Sequence, residues 1–193
     1  MKKIGMALLC LVLLSGCGKA ERGAALQEQY AALSRAELTA EITCHLPEEN
    51  RQFQVTCQYN REGDSDIVVT APAELAGLQA TVSGEDLTLT YDDLVLPAGS
   101  AAAVSPASCL PWLMRAASAG YILEEGRETL GDKPCLRLTL DTTGQDGEKV
   151  LCTAWFDQET QMPVYGEFAV DGQLLLSVDI IQFTAEAEAP TEQ

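Results

Sequence analysis

From Leu38 onward, apolar residues recur at every second position through most of the 193-residue chain. A period of two belongs to β-strands, whose successive side chains point to opposite faces. Ile42, Cys44 and Leu46 alternate with Thr43 and His45, and Phe53, Val55, Cys57 and Tyr59 alternate with Gln54, Thr56 and Gln58. After a polar turn, Ile67 to Ala71 runs into Pro72, which cannot donate to a ladder. Leu78, Ala80 and Val82 follow, then Leu87, Leu89 and Tyr91 beyond the turn at Gly84. A second run is expected as strands over 121–130, 133–141, 148–157, 163–170 and 173–184, separated by short turns such as Gly131-Asp132 and Asp171-Gly172. Short turns and one wet face imply antiparallel neighbours.

Two segments break the alternation helically. Over 24–36 the chain is rich in Ala, Leu, Gln and Glu, with Leu26, Tyr30 and Leu33 on one stripe. Near the middle, Ser105-Pro106 reads as a cap and first helical residue, and Pro111 as a break. A helix over 111–119, closed by Gly120, then carries Leu110, Leu113, Met114 and Ala117 on its apolar stripe. Trp112 lies off that stripe, placed to cover the sheet or to close a cavity. Pro97 to Val104 shows no period and reads as a loop able to move. The element order gives an α+β domain, a curved antiparallel sheet with helices on one face.

Pairing Cys44 with Cys57 sets Ile42 against Tyr59 and Leu46 against Val55, which puts every apolar side chain of that hairpin on one face. The two thiols then oppose each other, open to a disulfide or to two reduced core cysteines. Leu136, Leu138 and Leu140 align best with Cys152, Val150 and Glu148, leaving Cys135 on the other face and unable to bond Cys152. Cys44, Cys57, Cys109, Cys135 and Cys152 are an odd number, so at least one thiol stays unpaired within the chain. None stands in a C-x-x-C pair, and His45 points away from its neighbour Cys44, so a zinc site is not expected.

The N-terminus supplies an address. Lys2 and Lys3 precede an apolar run from Ile4 to Leu14, too short to span a bilayer, and Leu14-Ser15-Gly16-Cys17 looks like a bacterial lipobox. The expected organisation is a signal over 1–16, a lipidated Cys17 with a tether to residue 23, a domain over 24–184 and an acidic tail over 185–193. The tether spans about 20 Å at most, which holds the domain at the outer face of the cell membrane. Without Lys2 and Lys3, 10 basic residues face 29 acidic ones, a net charge of −19. That field repels phosphate backbones and anionic headgroups, so nucleic acid is excluded as a partner and membrane attachment rests on the lipid.

Three segments carry a family resemblance: Pro72-Ala73-Glu74-Leu75-Ala76-Gly77; Gly84 with Leu87 to Tyr91; and Trp155-Phe156-Asp157-Gln158-Glu159-Thr160-Gln161-Met162-Pro163. Together they resemble the LolA/LolB-like lipoprotein-carrier fold family, and the chain is also similar to the lipid-anchored germination lipoproteins of the GerS type. The resemblance implies an unclosed half-barrel whose concave face is covered by helices, with acyl chains held between in several members. The GerS type implies a non-enzymatic protein partner of a cell-envelope enzyme. Asp157 and Thr160 also have a local reading, bonding the backbone of a tight turn.

No catalytic signature accompanies these segments, and Asp64 and Asp66, or Asp92 and Asp93, lack the continuation of a calcium loop. No enzyme activity, metal or cofactor is expected. A hydrophobic site for a lipid or acyl chain is expected between sheet and helix, lined by Phe53, Val55, Leu87, Leu89, Trp112, Leu113, Leu138 and Leu140. The alternative is a scaffold for an envelope protein partner, using an exposed sheet edge or the 97–104 loop.

Overall fold

The computed structural model describes residues 21–101, 103–142 and 149–187. Cys17 and the leader lie outside them. Helix α1 (Glu21–Ala31) leads into β1 (Leu33–Cys44), β2 (Arg51–Asn60), β3 (Ser65–Ala71), β4 (Gln79–Ser83), β5 (Asp86–Tyr91) and β6 (Leu94–Ser100). Helix α2 (Cys109–Ala119) separates these from β7 (Tyr121–Leu130), β8 (Lys133–Asp141), β9 (Val150–Asp157), β10 (Pro163–Val170) and β11 (Gln173–Ala187). Among the described residues eleven strands form one sheet in the order β6-β5-β4-β3-β2-β1-β11-β10-β9-β8-β7. Every pairing is antiparallel, and the sheet stays open between β6 and β7. This is the expected α+β architecture of an unclosed antiparallel sheet with helices on one face.

Several boundaries move. Helix α1 starts at Glu21, inside the expected tether, and ends five residues short of Ala36. Residues 33–36 join β1 instead, where Ala36 pairs with Ala185 on one side and Tyr59 on the other. Hydrogen bonding to two flanking strands overrides the high helix propensity of Leu33, Arg35 and Ala36, a local preference worth only tenths of a kcal/mol per residue. The same pairing draws 185–187, expected as tail, into β11. Pro111 does not break α2, because it sits in the first turn, where backbone N–H groups have no partner within the helix. Gly120 does close the helix: its N–H donates to the Ala116 carbonyl at 2.8 Å, and a Cβ there would lie 2.7 Å from that oxygen. Ser108, not Ser105, stands at the cap, and its fully buried hydroxyl donates to the Ala103 carbonyl at 2.9 Å.

Both expected registers are corrected. Cys44 pairs with Arg51, Ile42 with Phe53, Ala40 with Val55, and Cys57 with Leu38. The hairpin turns around Pro47 and Glu48, leaving Leu46 half out in solvent beyond the end of β1. Cys44 is six residues along β1 from the partner of Cys57, on the order of 20 Å, so the proposed disulfide does not form. Both thiols are free, as are those of Cys109, Cys135 and Cys152. In the second hairpin Leu140, not Leu136, faces Cys152. Each slip is an even number of residues, which preserves the faces: Ile42, Cys44, Val55, Cys57 and Tyr59 are all buried.

The core lies between the helices and the concave face. Leu110, Leu113 and Met114 of α2 and Leu26 and Tyr30 of α1 meet Leu38, Ile42, Leu138, Leu140, Phe156, Phe168 and Val178 from the sheet. Helix α1 approaches closely because Gly23 has no side chain; a Cβ there would lie 2.9 Å from Ile122 Cδ1 and 3.2 Å from Leu138 Cδ2. The Gly23 N–H donates to the Glu125 carboxylate at 3.1 Å, placing a negative charge at the helix start. Among the described residues no helix is long and apolar enough to cross a membrane.

Candidate functional site

The eight residues expected to line a hydrophobic site share one apolar cluster. Val55, Leu113, Leu138 and Leu140 are buried at its centre and Leu87 lies buried toward its edge; Phe53, Leu89 and Trp112 are partly buried against it. Trp112 acts as a fastener. Its Nε1–H donates to the Ala101 carbonyl at 2.8 Å, and the Arg115 guanidinium lies 5.7 Å from its ring centre. Burial disfavours the charged form of Arg115 and lowers its pKa, an effect that Tyr59 partly opposes.

Two concave surfaces occur elsewhere. Between the start of α1 and the β9–β10 turn lies a cleft of about 330 Å³. Leu26, Leu136 and Phe156 form its apolar floor, and Arg22, Asp157, Gln158 and Gln161 its polar rim. Sequence periodicity could not mark this cleft, since it forms where a helix end meets a turn. The turn is nevertheless the one singled out in the sequence. Asp157 Oδ1 accepts the Glu159 and Thr160 N–H groups at 2.8 and 2.9 Å, and Gln161 takes a φ of 60°. Those backbone bonds hold the Asp157 carboxyl below its usual range, that from Thr160 foremost. The Tyr30 hydroxyl donates to the Gln161 carbonyl at 3.0 Å, tying α1 to the turn. A second cleft, about 300 Å³, lies between Arg35, Glu37, Gln58 and Glu186. Neither cleft includes any of the eight expected residues.

The other feature is a bare sheet margin. The cross-strand row Leu38, Cys57, Ile67, Ala80 and Leu89 ends on Leu96 of β6, so all six share the concave face. Leu38, Cys57, Ile67 and Ala80 are buried, Leu89 is half-buried, and Leu96 is 50 % exposed. All seven residues of β6 are exposed, including Leu94 on the concave face and Val95 on the other. This segment corrects the expected loop at Pro97, since the strand continues to Ser100. Gly99, at a φ of 88°, accommodates the β-bulge that turns the chain inward to the buried Ala101. The signal for this margin was available in the sequence, which carries no Lys or Arg between Arg61 and Arg115.

No family model and no curated protein matches the chain in sequence. Solved structures do resemble it. A DUF1329 family protein from Desulfovibrio piger is 14 % identical, with a TM-score of 0.51 over 85 % of this chain and 90 % of that one. A LolA superfamily protein from Nitrosomonas europaea is 13 % identical, with a TM-score of 0.47 over 86 % and 94 %. LprF from Mycobacterium bovis is 10 % identical, with a TM-score of 0.47 over 90 % and 98 %.

The chain shares its fold with the DUF1329 family protein.

At such identities the likeness is one of architecture alone, and the chemistry of a site has to be argued from the residues of this chain.

Proposed function

We propose that this protein is a non-enzymatic lipoprotein, held by lipidated Cys17 at the outer face of the cell membrane, that binds a lipid or acyl chain in the cleft at the start of α1. One observation carries the reading. An apolar floor of Leu26, Leu136 and Phe156 beneath a rim bearing Arg22 suits an amphiphile, whose tail needs dry contact and whose anionic head needs a cation. Arg22 is five residues from Cys17, so the cleft stays within about 20 Å of the anchor. The eight residues expected to line a site belong instead to the apolar core cluster or pack against it.

The test is native mass spectrometry and fluorescent fatty-acid titration of a protein starting at residue 18. Bound acyl lipid is expected, weakened at least tenfold by Ala25→Trp, which fills the cleft from an exposed helical position, and by Arg22→Glu. Absence of binding in the parent protein, or binding indifferent to both substitutions, overturns the reading.

A second reading, a scaffold for an envelope protein, is favoured by β6. An acyl chain lying on the concave face would use Leu94 and Leu96 but would have no use for Val95, which is 60 % exposed on the opposite face. Apolar exposure on both faces of an edge strand suits another polypeptide.

A further inference from the structure

We infer that β6 receives an extended apolar segment of another protein, flanked by basic residues, which adds to the sheet as a twelfth strand. The inference rests on the scaffold reading and names the chemistry of its partner.

The first ground is the edge itself. Among the described residues β6 is the last strand on its side of the sheet, and one side of its backbone has no strand neighbour there. Leu94, Val95 and Leu96 are 58 %, 60 % and 50 % exposed, a consecutive apolar run that proteins ordinarily blunt with charge on such an edge. No charged side chain occurs over residues 94–114. Pro97, without an N–H, and the bulge at Gly99 confine a free ladder to the first part of the strand. An added strand would therefore be short, and its alternate side chains would cover Leu94 and Leu96 on one face and Val95 on the other.

The second ground is charge. Asp92 and Asp93 form the turn that opens β6, and Glu85 and Asp86 lie at its other end, where Asp86 pairs with Ser100 and the Ala101 N–H donates to the Glu85 carbonyl. All four acidic residues are exposed. They bracket the apolar run at a spacing of about 20 Å, the length of the strand. With no Lys or Arg between Arg61 and Arg115, no basic residue of this segment offsets them.

That arrangement decides among occupants. Pairing two copies through β6 would bring acidic ends against acidic ends in either orientation, which costs association. Anionic lipid is repelled for the same reason. A peptide with an apolar centre and lysine or arginine on both sides meets the apolar run and both acidic ends at once.

The test uses fluorescence anisotropy with three labelled peptides sharing a seven-residue alternating Val/Thr centre, flanked by paired Lys, Ser or Glu. The parent protein starts at residue 18. The expected result is binding in the order Lys, Ser, Glu, with at least a tenfold gap between the first and last at low salt that shrinks as salt is raised. Val95→Lys should abolish binding of all three, and an Asp92→Lys/Asp93→Lys protein should lose the preference for Lys flanks. Circular dichroism of these exposed-site variants reports that they fold.

Equal binding of Lys- and Ser-flanked peptides, still abolished by Val95→Lys, overturns the basic-partner inference and leaves the scaffold reading standing. No binding of any peptide, or binding unaffected by Val95→Lys, overturns both. So does a β6-dependent dimer in sedimentation, or retention on zwitterionic phosphatidylcholine vesicles lost in Val95→Lys.

Discussion

Leu138 and Leu96 are the same residue type in the same kind of strand, yet one is fully buried and the other half exposed. Leu138 belongs to the part of the sheet nearest the helices, with β7 to β11, β1 and β2; Leu96 belongs to the margin of β3 to β6, which is still buried at Ile67 and Ala80 and is bare at β6. In the covered part, alternating strands meet α1 and α2 and make a core. In the margin the same alternation continues outward past the helices, and burial fades strand by strand from Ile67 to Leu89 to Leu96. Charge divides the molecule along a similar line, for the margin carries acidic side chains only and the covered part carries both signs. An alternating strand thus predicts an apolar face, and whether that face becomes core or binding surface depends on what lies above it.

The largest effect that sharpens this contrast is a truncation on each side. Leu138→Ala should destabilise the fold by about 2–5 kcal/mol, as for a fully buried leucine, while Leu96→Ala stays within about 0.5 kcal/mol. Urea unfolding measures both; comparable losses would mean the margin is part of the core.

Next comes alkaline pH, which acts on the covered part, where all five described cysteines lie. Burial pushes Cys57 and Cys152 up to about 12. Between pH 9 and 12 the folded thiols keep their protons while unfolded ones lose them, so the unfolded state binds fewer protons and stability falls as pH rises. The slope should be about 1.4 kcal/mol per pH unit for each thiol, shallower when either becomes alanine. Unchanged unfolding free energy from pH 8.5 to 10.5 would contradict their burial.

A smaller effect tests the seat of α1. Gly23→Val inserts methyl groups against Ile122 and Leu138 and should cost about 1–3 kcal/mol. Hydrogen exchange should then accelerate in α1 and β7 and leave β3 to β5 unchanged. Smallest of all, Asp157→Ala removes two accepted backbone bonds at an exposed turn and should cost about 1 kcal/mol. Its contribution is present at neutral pH and is lost as pH falls through the depressed carboxyl pKa, so parent and variant should converge in acid.

Much of this fold was legible in the alternation. The strands over 121–130, 133–141 and 163–170 have the expected limits, because Gly, Asp and Pro mark their turns. Register was not legible, since alternation records only parity: pairing Cys57 with Cys44 or with Leu38 buries the same face, and the position of the turn at Pro47 decides between them. The apparent helix from residue 32 to 36 failed because its neighbours, Asn60, Tyr59 and Ala185, are remote in sequence. For the candidate sites, the individual core residues could be read and their filling of the concave face could not. The cleft at Arg22 depends on a helix end meeting a distant turn. The margin at β6 was half visible, as a stretch without period or base, and only the strand order identifies it as an edge.

That order has a consequence for how the chain assembles. β1 lies inside the sheet, bonded to β2 through a local hairpin and to β11 across about 150 residues of sequence. Two meanders, β1 to β6 and β7 to β11, are each built from local turns and are sewn together by the first strand meeting the last. Until β11 is synthesised, the inner side of β1 is an open edge. Assembly therefore waits for the final strand, and a chain stopped before Gln173 would leave the first meander with two unpaired edges instead of one.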